Sequence, residues 1–323
     1  MAREPIHFLY DSPDRVHYSA YTPNPLPPAE RQRLRKDAVK GVGPGIYFGK
    51  EMVKRSGGIP QGLICAAHGG TSMENWDPAK KHLGGDSQYG SMLRMLRKTG
   101  QPVAGLLWYQ GESDCIETAA PHYTRRMKQL VAAIRRDFKQ PNLPFLMVQI
   151  GRVMGSSWAP KPWNAVQSQQ ARLHKQIKNL ECVAAIDLPL DDSIHISSSG
   201  YPRLGARLAR LADRMVYGNR REPPAPELAS ISRLNDNRFK KICAYGLDLV
   251  FKNVVGGLES KGFPSGFALV DNKHGNPNCI YKTTLHGNKV RLETALVSNY
   301  GEYKLMYGHG CAPYVNITDK RDM

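Results

Sequence analysis

Asp192 and His195 stand three positions apart in the segment Asp192-Ser193-Ile194-His195. That spacing lets both side chains reach one point from a single loop. The carboxylate then orients and stabilises the imidazole, which serves as general base toward a hydroxyl nucleophile. On its own the same spacing also describes a helix N-cap beside a surface histidine. Two glycine-bearing blocks weigh on that choice. His68-Gly69-Gly70-Thr71-Ser72 exposes backbone N–H groups that a ligand can approach closely, because glycine lacks a Cβ. Gln110-Gly111-Glu112-Ser113-Asp114 brings a side-chain amide with two donors, and two carboxylates. A backbone N–H from Gly69-Gly70, with Gly70 preferred, and the Gln110 amide would make an oxyanion hole for acyl transfer. The competing reading of Gly69-Gly70 is a tight turn. Glu112 is either a second acid for the histidine or a structural carboxylate that bonds backbone amides behind the site.

These blocks need elements to position them. Four short apolar runs, 62–67, 105–109, 145–150 and 182–187, are bounded by turn residues and suit strands buried on both faces of a parallel sheet. Each of the three blocks above follows one of them. Between the runs lie helical stripes. Tyr123, Met127, Leu130, Ile134 and Phe138 recur every three or four residues, with arginines and Lys128 on the opposite face. Residues 163–177 continue the pattern, and Leu204, Leu208, Leu211 and Met215 form a last stripe. A further glycine block, Gly41-Val42-Gly43-Pro44-Gly45, precedes another predicted helix. Strands alternating with helices predict an α/β fold, an open sheet with helices on both faces. Chemistry in such sheets sits at the carboxyl ends of the strands.

The pattern changes after a polar, proline-rich stretch. Residues 219–228 read as a linker between a domain over 1–218 and a module over 229–323. Beyond it come short strand-like runs, Ile242–Tyr245, Leu247–Phe251, Phe267–Val270, Lys289–Thr294 and Tyr303–Tyr307, which predict a small β-sandwich-like module.

Composition excludes several classes. No run reaches the ~18 apolar residues of a membrane-spanning helix, and no charged-then-apolar leader opens the chain. The net charge of +17 suits a basic surface or attraction to acidic glycans. The basic residues do not interleave with aromatics, so nothing beyond charge points to nucleic acid. The six cysteines form no CxxC pair, which argues against a zinc ribbon. Cys65 and Cys182 sit in apolar runs as small core residues; the other four are available for disulfides in an oxidising compartment.

The string Gly105-Leu-Leu-Trp-Tyr-Gln-Gly-Glu-Ser-Asp114 resembles the VLWYQGESD block of sialate O-acetylesterases and of the acetylxylan esterases of carbohydrate esterase family six. The glycine block at 41–45, Gly69–Trp76 and Asp192–His195 follow in that family's order, and 257–263 with 307–319 are similar to its β module. The resemblance implies an SGNH-hydrolase-like, flavodoxin-like fold. It implies an O-acetylated carbohydrate as substrate, no metal or organic cofactor, and a secreted or periplasmic setting. Asp192 and His195 become triad members, Glu112 an alternative acid, and Gly70 and Gln110 oxyanion donors. The family's nucleophilic serine stands in a Gly-Gln-Ser-Asn-like turn near its start. No such block occurs here; Ser12 and Ser19 lie outside any glycine-bearing turn. Gly85-Asp86-Ser87 matches the SGNH Gly-Asp-Ser only superficially, because the stretch before it is no strand, so Ser87 is a weak nucleophile candidate. The expectation is an N-terminally incomplete or degenerate esterase, with a non-catalytic carbohydrate-binding protein as the alternative.

Overall fold

The computed structural model describes residues 43–234, 244–271, 276, 278–295 and 303–323. Three parallel strands, β1 (Leu106–Tyr109), β2 (Phe145–Gln149) and β3 (Leu180–Ala184), lie side by side in the order β1-β2-β3. Among the described residues five α-helices accompany them: α1 (Pro44–Arg55), α2 (Gln88–Thr99), α3 (Tyr123–Asp137), α4 (Pro160–Arg172) and α5 (Tyr201–Met215). Side chains of β2 alternate between two cores, as a strand's period of two requires. Phe145 and Met147 pack with Met127, Leu130 and Ile134 of α3 and Trp163 and Val166 of α4. Leu146 and Val148 pack with Met52 of α1 and Leu204, Leu208 and Leu211 of α5. The sheet is thus covered on both faces, as an α/β fold demands.

One expectation is corrected. Residues 62–67 form no helix or strand and pair with no strand among the described residues. Leu63 meets one core and Ala66 the other, as in a strand, yet no described strand lies beside them to complete a ladder. Sequence patterning assigns no element to 88–99, where α2 forms. Its cap is Ser87, whose Oγ accepts from Gly90 N at 3.0 Å.

Helices α1 and α5 touch through Gly205. A Cβ there would stand 2.6 Å from Tyr47 Cβ and 2.7 Å from Phe48 N. Gly205→Ala should therefore force the two helices apart and cost about 1–3 kcal/mol, read as a lower urea midpoint at unchanged slope.

The later strands are antiparallel. β4 (Glu227–Leu234), β5 (Ala244–Lys252), β8 (Ile280–His286) and β9 (Lys289–Ala295) form one sheet in the order β4-β5-β9-β8. β6 (Leu258–Ser260) pairs with β11 (Ile317–Asp319), and β7 (Phe267–Val270) with β10 (Lys304–Tyr307). Leu247, Leu249, Val290 and Leu292 make the core of this part. β4 already begins at Glu227, and residues 242–243 lie outside the described residues.

The stretch before β4 is tied down at several points. Glu222 accepts from Arg55 at 2.9 Å and Arg210 at 3.0 Å, and Arg321 donates to the Pro223 carbonyl at 3.0 Å. Asp322 also returns to the parallel sheet, accepting Arg207 Nε through its carbonyl at 2.6 Å. Among the described residues no helix is long and apolar enough to cross a membrane. Cys65, Cys115, Cys182, Cys279 and Cys311 carry no disulfide, and Cys243 lies outside the described residues.

Asp248 is buried, and Arg291 (2.8 Å) and Lys289 (3.0 Å) pull its pKa down to about 2, from 3.8. A depressed carboxylate stabilises the fold above its unfolded pKa and loses that contribution as pH falls through the folded one. Lowering pH from 5 to 2 should loosen this sheet in the native protein. Asp248→Asn should flatten the dependence in hydrogen exchange of β5 and β9 amides.

Candidate active site

Three loops leave the carboxyl edge of the parallel sheet. The loop after β1 begins at Gln110, whose carbonyl accepts from Tyr123 Oη at 3.0 Å and Gln170 Nε2 at 2.9 Å. Gln170 Oε1 in turn accepts Ile150 N at 2.9 Å, so one buried amide ties the ends of β1 and β2 together. Gly111 leaves that amide its room: a Cβ would lie 2.7 Å from Gln170 Nε2 and 2.8 Å from Ile150 Cγ2.

The Gln110 side chain is buried and spends both amide hydrogens internally. It donates to Thr71 O at 3.0 Å and to Asp114 Oδ2 at 2.7 Å. In this ligand-free arrangement both hydrogens are taken, so the oxyanion-donor role expected for this residue requires one of these bonds to open. Asp114 Oδ2 also accepts Met73 N at 2.8 Å. These bonds fasten the 68–76 loop to the 110–114 loop. Within the former, Thr71 Oγ1 donates to His68 O at 2.9 Å and accepts Trp76 Nε1 at 2.9 Å. Trp76 packs edge-on against Trp108 of β1, with ring centroids 5.2 Å apart. Gly70 sits at φ +68°, where glycine is unstrained, and both Gly69 and Gly70 are exposed. No acceptor among the described residues takes the Gly70 N–H.

The loop after β3 carries Asp192 and His195. Its base is held by Asp187, which takes both Nη groups of Arg207 at 2.7 Å and Arg203 at 2.6 Å. Burial raises the Asp187 pKa, but the two guanidiniums outweigh it and hold the carboxyl below its usual range. Asp191 N then donates to His195 O at 3.0 Å, closing the turn. Asp192 Oδ1 accepts Ile194 N at 2.8 Å and His195 N at 2.7 Å, while Oδ2 pairs with His195 Nδ1 at 2.6 Å. Those two backbone N–H groups, then the imidazole, pull Asp192 down to about 2. The carboxylate is therefore ionised throughout the neutral range. With Nδ1 paired to it, Nε2 is the ring nitrogen the carboxylate does not engage.

Glu112 makes no bond to the histidine. Burial raises its pKa, while the N–H groups of Glu112 and Gly111 and the nearby charge of His195 act in the other direction. Asp192 is thus the acid bonded to the imidazole, and Glu112 lies within its electrostatic reach. The loop after β2 completes the set, with Met154 N donating to Ser193 O at 2.7 Å and Val153 N to Cys311 O at 2.8 Å.

Ser87 does not belong here. It is 2 % exposed, donates to Lys80 O at 2.8 Å and caps α2, so its hydroxyl is structural. Among the described residues no serine is hydrogen-bonded to His195. Ser12 and Ser19 lie outside the described residues, as do Gly41 and Val42.

Asp114 and Gln170 carry the site's framework without being legible as site residues. The one sequence signal for Gln170 was its place on the buried stripe of α4, seven residues after Trp163, where a polar residue must find buried partners.

The fold is an open parallel α/β sheet with a carboxylate-bound imidazole on a strand-end loop. The comparisons narrow that class. A family model described as carbohydrate esterase, sialic acid-specific acetylesterase, matches residues 1–214. A Probable carbohydrate esterase of Arabidopsis thaliana is 32% identical over 179 residues, covering 53% of this chain and 64% of that relative. The crystal structure of a carbohydrate acetylesterase from Xanthomonas citri aligns with a TM-score of 0.66 at 22% identity, over 86% of this chain and 62% of that one. The last is a likeness of fold. The chain belongs to the sialic acid-specific acetylesterase family of carbohydrate esterases, and it spans under two thirds of the length of either relative.

Proposed function

We propose that this protein hydrolyses acetyl esters on glycans, with residues 1–218 carrying the chemistry and 229–323 an accessory module. The observation that carries the reading is the Asp192–His195 bond of 2.6 Å, with the other carboxylate oxygen locked by two backbone N–H groups. A carboxylate held at two points fixes the imidazole's orientation and tautomer, which is what a general base needs. His195 Nε2 takes the proton of a hydroxyl as that hydroxyl attacks the acetyl carbonyl. The Gly70 N–H is the donor offered to the resulting oxyanion. The imidazole then returns the proton to the departing sugar oxygen, and water releases acetate from the acyl-enzyme in a second round.

A second reading is favoured by one observation: no described serine meets His195, and Ser87 is spent on a helix cap. It makes the protein a glycan binder without turnover. Acetate release from O-acetylated sialosides and acetylated xylo-oligosaccharides separates the two. The hydrolase reading expects release that depends on His195, and release of no acetate from either substrate would sink it.

A further inference from the structure

The loop that carries Asp192 and His195 is stapled at its root by the helix that follows it. Asp187 stands near the start of the loop, and Arg203 and Arg207 lie one turn apart on α5, which begins where the loop ends. A carboxylate from the antiparallel part of the chain braces this staple. Asp322 takes the Arg203 guanidinium at two points, through Nε at 2.7 Å and through Nη2, while its carbonyl takes Arg207 Nε at 2.6 Å. Asp322 is itself held in place. It stands at φ +63°, an uncommon conformation outside glycine, and its N–H donates to Asp319 O at 2.8 Å. Asp319 is wholly buried and takes Val255 N at 3.0 Å and Arg321 Nη2 at 2.7 Å. On the other side of Asp187 the bonds run on to the histidine. Ser197 N donates to Pro189 O at 2.8 Å, Leu190 forms a bridge with Ile196, and Asp191 N donates to His195 O at 3.0 Å. Each of these last links joins backbone to backbone.

A guanidinium is a rigid planar fork, so two carboxylates that share it are fixed relative to one another. Arg203 is shared in this way between Asp187 and Asp322. It is also partly exposed, so without Asp322 it can turn to water and leave Asp187 to Arg207 alone. We infer that Asp322 is a positioning residue for His195. Acting through Arg203 and Asp187, it couples the seating of the antiparallel module to the orientation of the imidazole. The kinetic consequence of this coupling rests on the hydrolase reading, but the coupling itself does not.

Asp322→Asn in the full chain tests it. The substitution removes the charge, keeps the carbonyl that Arg207 uses and suits a left-handed backbone. Circular dichroism and the urea midpoint check that the variant is folded, and Arg203→Gln breaks the same link from its other end. Long-range proton–nitrogen NMR of the isotope-labelled protein reads the His195 tautomer directly. The wild type should hold its imidazole proton on Nδ1, and both variants should move the ring nitrogens toward a mixture of tautomers. Acetate release from an O-acetylated sialoside should show kcat lower by about tenfold, short of the ~10²-fold that a 1 Å misplacement costs, with KM within about twofold. Asp322→Glu, which keeps a carboxylate, should recover part of the loss. Wild-type nitrogen shifts for His195 in folded Asp322→Asn and Arg203→Gln would overturn the inference, and so would a change in KM alone. Altered shifts in a protein that releases no acetate would instead remove the hydrolase reading and leave the coupling in place. Release that depends on His195, with kcat and shifts unchanged by Asp322→Asn, would remove only this inference.

Discussion

His195→Ala should lower acetate release by about 10²–10⁴-fold, the usual contribution of a positioned general base. The imidazole has a fixed carboxylate partner at 2.6 Å through Nδ1, which leaves Nε2 as the nitrogen for a hydroxyl. Asp192→Asn should act in the same direction, because an amide in place of Oδ2 no longer dictates which imidazole nitrogen carries the proton. Glu112→Gln separates the two acids. Glu112 makes no bond to His195, so this change should cost less than about tenfold, well below the loss of a general base. A larger loss for Glu112→Gln than for Asp192→Asn would reverse their roles. Because Asp192 is held at about 2, an acid limb in the rate profile between pH 5 and 7 does not come from this carboxylate. Wild-type turnover in His195→Ala would exclude the histidine as base.

Asp114→Ala should produce the largest loss of stability, about 2–4 kcal/mol at pH 7. The carboxylate is wholly buried and accepts Met73 N at 2.8 Å and Gln110 Nε2 at 2.7 Å. Its removal strands two buried donors, each costing about 1–3 kcal/mol, and deprives Arg126, 3.6 Å away, of its counter-charge. Burial raises the Asp114 pKa, ahead of the lowering by Gln110, Met73 and Arg126. A raised folded pKa means the group's contribution is greatest below the unfolded pKa and diminishes as pH rises through the folded one. The gap between Asp114→Ala and wild type in urea should therefore narrow as pH rises from the ordinary carboxylate range. Activity should fall with stability, because the 68–76 loop that presents Gly70 is fastened by these bonds. A variant as stable as the wild type would show that the loop is held by other means.

Local pattern was enough for much of the architecture. β1, β2 and β3 stand where fully apolar runs were bounded by turns, and α3 and α5 where apolar residues recurred every three or four positions. Those signals are local, since burial on two faces or one stripe writes itself into a window of ten residues. Asp192 and His195 were legible for the same reason: the whole interaction spans four residues and closes through their own backbone.

What failed was non-local. Residues 62–67 have a strand's composition, but a strand exists only with a neighbour, and composition does not name one. Gly-Asp-Ser at 85–87 carries a nucleophile's spelling that the missing strand before it already discounted, and the fold gives the Ser87 hydroxyl a helix to cap. Gln110 has an oxyanion donor's chemistry, but Thr71 and Asp114, 39 and 4 residues away, claim both its hydrogens. The sequence by itself determined the class of fold, the family and the Asp192–His195 pair. Only the tertiary structure decided which polar groups face a ligand and which are consumed in holding the loops, because hydrogen-bond capacity is finite and its allocation depends on partners far along the chain.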